Sequence, residues 1–153
     1  MTKFEELLKE HKQNVTNRLS FIEKDIHNRA ISHDMDKITD PVQYEAYSKH
    51  FVALKKIPFG SEEYYTFEKE NFNDAHENHA QNRHHFYSKK NKGMDTNLLD
   101  LLEAIVDISE SQKQYDNDDL NKTKEYFSKK GLYDLNIEKL IDNTLLYIND
   151  TDE

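Results

Sequence analysis

The stretch FEELLKEHKQNVTNRLSFIEKDI, residues 4–26, decides the fold. Its positions Phe4, Leu8, His11, Val15, Leu19, Ile22 and Ile26 recur at steps of three and four, which places them on one face of a helix. His11 lies inside that stripe. The pattern predicts one long helix, or two parted near Ser20. No Gly or Pro stops it before Ile31, Ser32, His33 and Asp34, so the His33-Asp34 pair is expected to be helical.

Working outward, Thr39-Asp40-Pro41 reads as a helix start, with a capping side chain ahead of a Pro in the first turn. A helix over 42–54 is predicted to end before the breaker Ile57-Pro58-Phe59-Gly60. Ser61 can cap a further helix running to about Phe86, with Tyr64, Phe67, Phe72, Ala75, His79 and Phe86 on its stripe. The polar run 88–95 reads as a loop, and Asp95 or Thr96 as the next cap. Leu98, Leu99, Leu102, Ile105 and Val106 then form the most apolar face in the chain, expected to be central. Two further helices are predicted, over about 117–130, closed by Gly131, and over 137–149.

Three Gly and two Pro among 153 residues leave few turn-formers for a many-stranded sheet. The expectation is an all-α helical bundle, one domain over 1–153 with its core at about 4–115 and a helical extension over 116–149. With no Cys, any metal must be held by imidazole, carboxylate or water, which suits a cytoplasmic protein. Residues 1–10 carry no apolar run of signal-peptide length, and no segment approaches the ~20 apolar residues that span a membrane. A net charge of -9 argues against bulk binding to nucleic acid or anionic lipid, because both need a basic surface to release counterions. A local cleft for a nucleotide remains compatible with it, and so does a homo-oligomer.

Three groups of residues carry chemistry. His33 and Asp34 are adjacent and Lys37 follows, and an imidazole nitrogen and a carboxylate oxygen are both competent ligands for a divalent ion. Asn82-Arg83-His84-His85 sits near a predicted helix end, where a side chain can reach a cleft. Glu103 and Asp107 form an i, i+4 carboxylate pair, and Asp107 lies between Val106 and Ile108, so a buried Asp107 requires a cation. Blander explanations exist for each. His11 could be a hydrogen-bonded core histidine, His33-Asp34 a helix-end cap, His84-His85 a polar helix end, and the carboxylates a solvated stripe. His27, His50, His76 and His79 are expected at the surface or behind the ligands.

Taken in order, His11, His33-Asp34 with Lys37, His76, His84-His85 and Asp107 resemble the HD-domain superfamily. His33, Asp34 and Lys37 look like its His-Asp-x-x-Lys signature, and His84-His85 look like the later His pair of its binuclear phosphodiesterase branch. The likeness is closer to a family of short bacterial and phage HD-like proteins, the DUF5662 type, and covers about residues 11–109. Phe86-Tyr87-Ser88 replace the Gly-Tyr-Pro segment of the cyclic-dinucleotide branch, which argues against cyclic di-GMP as substrate.

The resemblance implies a metal-dependent phosphohydrolase acting on a nucleotide or related small phosphate ester. His11, His33, Asp34, His84, His85 and Asp107 would hold one or two divalent ions (Mn, Fe, Co, Ni or Zn), which lower the pKa of bound water. Lys37 and Arg83 would neutralise phosphoryl charge, and Glu103 would shuttle a proton or orient a ligand. The competing expectation is an acidic, phage-type binding protein or inhibitor that retains the fold without catalysis.

Overall fold

The computed structural model describes residues 2–87, 96–114 and 120–130. Every regular element among them is helical: α1 Lys3–Ser32, α2 Asp36–Thr39, α3 Pro41–Leu54, α4 Glu62–Asn71, α5 Asn73–His79, a 3-10 turn Arg83–His85, α6 Leu98–Lys113 and α7 Leu120–Lys129. The all-α expectation holds. The chain divides into two compact units, 1–35 and 36–153.

The first unit is α1 and the turn after it. One continuous helix of 30 residues forms, with no break at Ser20, opened by a capping box in which Thr2 and Glu5 satisfy each other's backbone amides. None of its residues is buried, and its stripe, including Phe4, Val15 and Leu19, is exposed. The helix stops without Gly or Pro, one residue before His33. The His33 backbone is extended, Asp34 adopts a left-handed conformation (φ 58°), and the Met35 amide donates to the Ser32 carbonyl. The expected helical setting for His33-Asp34 is therefore corrected to a tight turn. Asp visits the left-handed region more readily than most L-residues because its short side chain can bond locally.

The second unit begins at α2. Asp40 caps α3, accepting from the amides of Val42 and Gln43, with Pro41 in the first turn, as the sequence predicts. Gly60 takes a positive φ of 76° in the turn before Ser61, whose hydroxyl caps α4. The single helix expected from Ser61 to Phe86 is instead three pieces. Phe72 leaves helical geometry (φ -125°, ψ 7°) between α4 and α5, and Asn82 turns extended (ψ 147°) ahead of the 3-10 turn. Phe72 is buried with Leu54 and Tyr64, so the break lets one side chain enter the core that a continuous helix would direct elsewhere.

The α6 cap is Asn97, not Asp95 or Thr96, because Asn97 and Asp100 form a reciprocal capping box. The buried face of α6 carries Ala104, Ile105 and Ile108 with Asp100, Ser109 and Gln112, while Leu98 and Val106 are exposed. The inward side is thus rotated from the most apolar stripe in the sequence, because this helix also buries polar side chains that find partners. Phe127 of α7 completes that core. The predicted loop 88–95, the Gly131 stop and the helix over 137–149 lie outside the described residues. Among the described residues, no helix is long and apolar enough to cross a membrane.

Phe127 is fully buried against α6, whereas Leu98 is 63% exposed. Phe127→Ala is expected to cost about 3–5 kcal/mol in urea unfolding, and Leu98→Ala to stay within about 0.5 kcal/mol of wild type.

Candidate metal centre

Three imidazoles meet in the second unit: His79 at the end of α5 and His84 and His85 in the 3-10 turn. One potential ligand atom from each lies within 4.8 Å of the others, and the ring centroids are 4.2 Å apart for His84–His85 and 4.6 Å for His79–His85. His79 and His84 are each only 4% exposed. Consecutive residues project in widely different directions from a helix, and the extended Asn82 is what re-aims the chain. After that bend the 3-10 turn carries His84 and His85 toward His79, the last residue of α5.

Each ring is gripped at Nδ1 by an oxygen. His79 Nδ1 lies 2.8 Å from Asp36 Oδ2, His85 Nδ1 lies 2.9 Å from the Tyr87 hydroxyl, and His84 Nδ1 lies 3.2 Å from Glu103 Oε1. A carboxylate can only accept, so His79 and His84 present their Nδ1–H to Asp36 and Glu103, which leaves the Nε2 lone pairs for other work. His79 Nε2 and His85 Nε2 are 2.8 Å apart and share one hydrogen, while His84 Nε2 is buried.

Asp36 holds this arrangement from behind. Its Oδ2 accepts from Gln43 Nε2 at 3.0 Å and from Asn82 Nδ2 at 2.9 Å, besides His79. Burial works to raise the Asp36 carboxyl, but the His79 hydrogen bond and charge, with Gln43 and Asn82, outweigh it and hold the group at about 2. Burial, followed by the neighbouring charges of His84 and His79, pushes His85 down to about 2. A histidine so depressed is neutral at physiological pH and keeps a lone pair for a cation.

Of the residues singled out in the sequence, His84, His85, Glu103 and Asp107 come together in this unit. A carboxylate oxygen of Asp107 lies within 4.8 Å of an imidazole nitrogen of His84, and Ser111 donates to Asp107 at 3.5 Å. Arg83 pairs with a carboxylate of α6. Its Nε and Nη2 grip both oxygens of Asp100 at 3.0 and 2.7 Å, and Asp100 is completely buried and also accepts from the Asn97 amide. That fork braces the 3-10 turn against α6 and compensates the guanidinium charge. Lys37 Nζ sits 5.2 Å from the centre of the Tyr47 ring.

His11, His33 and Asp34 belong to the first unit. His11 is exposed on α1, and His33 Nε2 lies 3.7 Å from Asp34 Oδ1 in the turn that ends it.

Of the two settings expected for His79, the surface one is corrected: it is buried, within reach of His84 and His85. His27 is exposed, His76 is half exposed beside Glu68, and His50 packs edge-on to Phe72. Sequence reasoning also passed over Asp36, Tyr87 and the amide of Gln43, and it gave Asn82 no role of its own. Asp36 stands inside the quoted His-Asp-x-x-Lys string, and His79-x-x-Asn82-x-His84-His85 has the density of polar donors that marks a site. Both signals were available, but neither periodicity nor a signature weights them.

The donor set fits a borderline divalent ion such as Zn, Co, Ni, Fe or Mn: three imidazoles, each with its Nδ1 beside an oxygen, and a carboxylate nearby. Hard ions such as Mg or Ca favour all-oxygen sites. A model of a family of unknown function, DUF5662, matches residues 1–148. No curated protein and no solved structure matches the chain.

Because the folded state holds the Asp36 carboxyl near 2, below its ordinary 3.8, the ionised form is favoured by folding. The resulting stabilisation is present above about pH 4 and is lost as pH falls toward 2. Asp36 is partly exposed, so solvent screening limits the effect to the order of 1 kcal/mol. In urea unfolding, Asp36→Asn should lie below wild type at pH 6, with the gap narrowing between pH 4 and pH 2.

Proposed function

For this chain, which belongs to the DUF5662 family, we propose a metal-dependent phosphohydrolase activity on a nucleotide or related small phosphate ester, with the HD-domain resemblance as a guide to the chemistry. The observation that carries it is the cluster of three buried or half-buried imidazoles, His79, His84 and His85, each held at Nδ1 by an oxygen of a different residue. Orientation of this kind costs conformational freedom, and burial of the cluster depresses the basicity of His85. A core under no demand but packing has no use for it.

The ligands that the second unit offers the proposal are His79, His84 and His85, with Asp107 beside His84. A divalent ion there supplies Lewis acidity toward a phosphoryl oxygen and acidifies water. Glu103 holds His84 by its Nδ1–H, and Asp36 holds His79 in the same way, so both present Nε2. Lys37 keeps the role of stabilising phosphoryl charge. Arg83, bound to Asp100, serves by holding the 3-10 turn that carries two of the ligands. His11, His33 and Asp34 remain in the proposal as ligands on the strength of the sequence string alone.

The binding-protein alternative has its own support. Residues 1–35 contain six Lys/Arg and six Asp/Glu, so the entire net charge of -9 falls on residues 36–153. Such an asymmetric acidic surface suits association with a basic partner.

Protein purified without chelator is expected to carry close to one equivalent or more of a transition metal by elemental analysis. It should also hydrolyse at least one member of a phosphomonoester and phosphodiester panel supplemented with Mn, Fe, Co, Ni or Zn. His84→Ala should lose most of the metal and at least ~100-fold in turnover while keeping its helical circular dichroism, and Asp34→Ala tests the contribution of the first unit. Absence of both metal and turnover, with a basic protein co-purifying, would move the assignment to the binding reading.

A further inference from the structure

The imidazole cluster continues outward along a line of hydroxyls that ends on α7. His79 and His84 lean on carboxylates, but His85 leans on a phenol: its Nδ1 lies 2.9 Å from the Tyr87 hydroxyl. Tyr87 is in turn set edge to face against Tyr126, on α7, at a centroid distance of 5.9 Å, and while burial pushes the Tyr126 phenol up, hydrogen bonding with Tyr87 opposes that change. Both tyrosines pack on the buried Phe127, and Phe59 stacks on Tyr126. The position of the Tyr87 oxygen is therefore set by the core between α6 and α7.

Phenol differs from carboxylate in one relevant respect: it can donate or accept. With the three rings neutral and no metal bound, the donors and acceptors run one way. Tyr87 O–H donates to His85 Nδ1, His85 Nε2–H donates to His79 Nε2, and His79 Nδ1–H donates to Asp36. For His85 to offer Nε2 to a cation, its ring must carry the hydrogen on Nδ1 instead. Nε2 gives its hydrogen to solvent and Nδ1 takes one from solvent, with no change in the charge of the ring. Tyr87 can follow that exchange by turning its own hydrogen to Tyr126 and accepting from His85.

We infer that Tyr87 and Tyr126 are positioning residues for the metal centre, a hydroxyl pair that holds His85 in either tautomer and brings α7 into the site. This rests on the metal-centre reading above. The phenols touch neither metal nor substrate, and they act through the imidazole of His85.

The test is a Co(II) titration of the full chain, followed by visible absorbance, for wild type, Tyr87→Phe, Tyr126→Phe and the double variant, with nitrogen-15 NMR of the histidine rings in metal-free protein. Tyr87→Phe is expected to weaken Co(II) binding by about tenfold or more, and Tyr126→Phe by less, in the same direction. The double variant should bind no more weakly than Tyr87→Phe, since the outer hydroxyl works through the inner one. In the NMR spectra, wild-type His85 should carry its hydrogen on Nε2, and Tyr87→Phe should show a mixture of the two tautomers. Wild-type affinity and an unchanged His85 tautomer in Tyr87→Phe would overturn the inference and leave the metal centre standing. A wild-type protein that takes up no Co(II) would overturn both. Should Tyr87→Phe fail to fold, Tyr126→Phe decides alone, and wild-type affinity there sinks the hydroxyl pair.

Discussion

A single carboxylate oxygen, Oδ2 of Asp36, accepts hydrogen bonds from Gln43 on α3, His79 at the end of α5 and Asn82 in the segment beyond it. Four parts of the chain that share no apolar stripe are thereby tied at one point. Each donor would be costly to bury without an acceptor, and the acceptor would be costly to bury without its donors, so the group stands or falls together. The ionised form is held well below its ordinary range despite burial, which is the electrostatic signature of that cooperation.

The rest of the cluster depends on two further attachments. Asn82 is extended, so the chain leaves α5 and turns back with His84 and His85 facing His79. The two-pronged pairing of Arg83 with the fully buried Asp100 then fastens that turn to α6. Asp100 also caps α6 through the Asn97 amide, so the helix start and the placement of the histidines share one side chain.

The chemistry proposed for this centre follows from how its groups are held more than from which groups they are. Clustered histidines in water titrate near neutrality and repel one another when charged. Burial and mutual proximity keep His85 neutral, and fixed oxygens at Nδ1 keep the three rings oriented. Glu68 shows the contrasting case. Burial pushes that carboxyl up even though His76 and Tyr64 oppose the change. The same unit thus holds one acidic group strongly in its charged form and another poorly, by the number of donors each one meets.

Helix content, the Asp40-Pro41 start, the Pro58-Gly60 break and the Ser61 cap were all legible in the residues, because each depends on neighbours a few positions apart. The candidate site was half legible: the tandem histidines, Glu103 and Asp107 stood out by residue type and spacing. What the sequence by itself determined is therefore the local structure and the kinds of ligand available. Only the tertiary structure decided that His79 is central, that Asp36 and Tyr87 orient the rings, that Arg83 is occupied by Asp100, and that α6 turns a mixed face inward in place of its most apolar one. The physical reason is that hydrogen bonds to a buried imidazole join residues up to 43 positions apart, as for Asp36 and His79, and no periodicity along the chain encodes a partner at that distance.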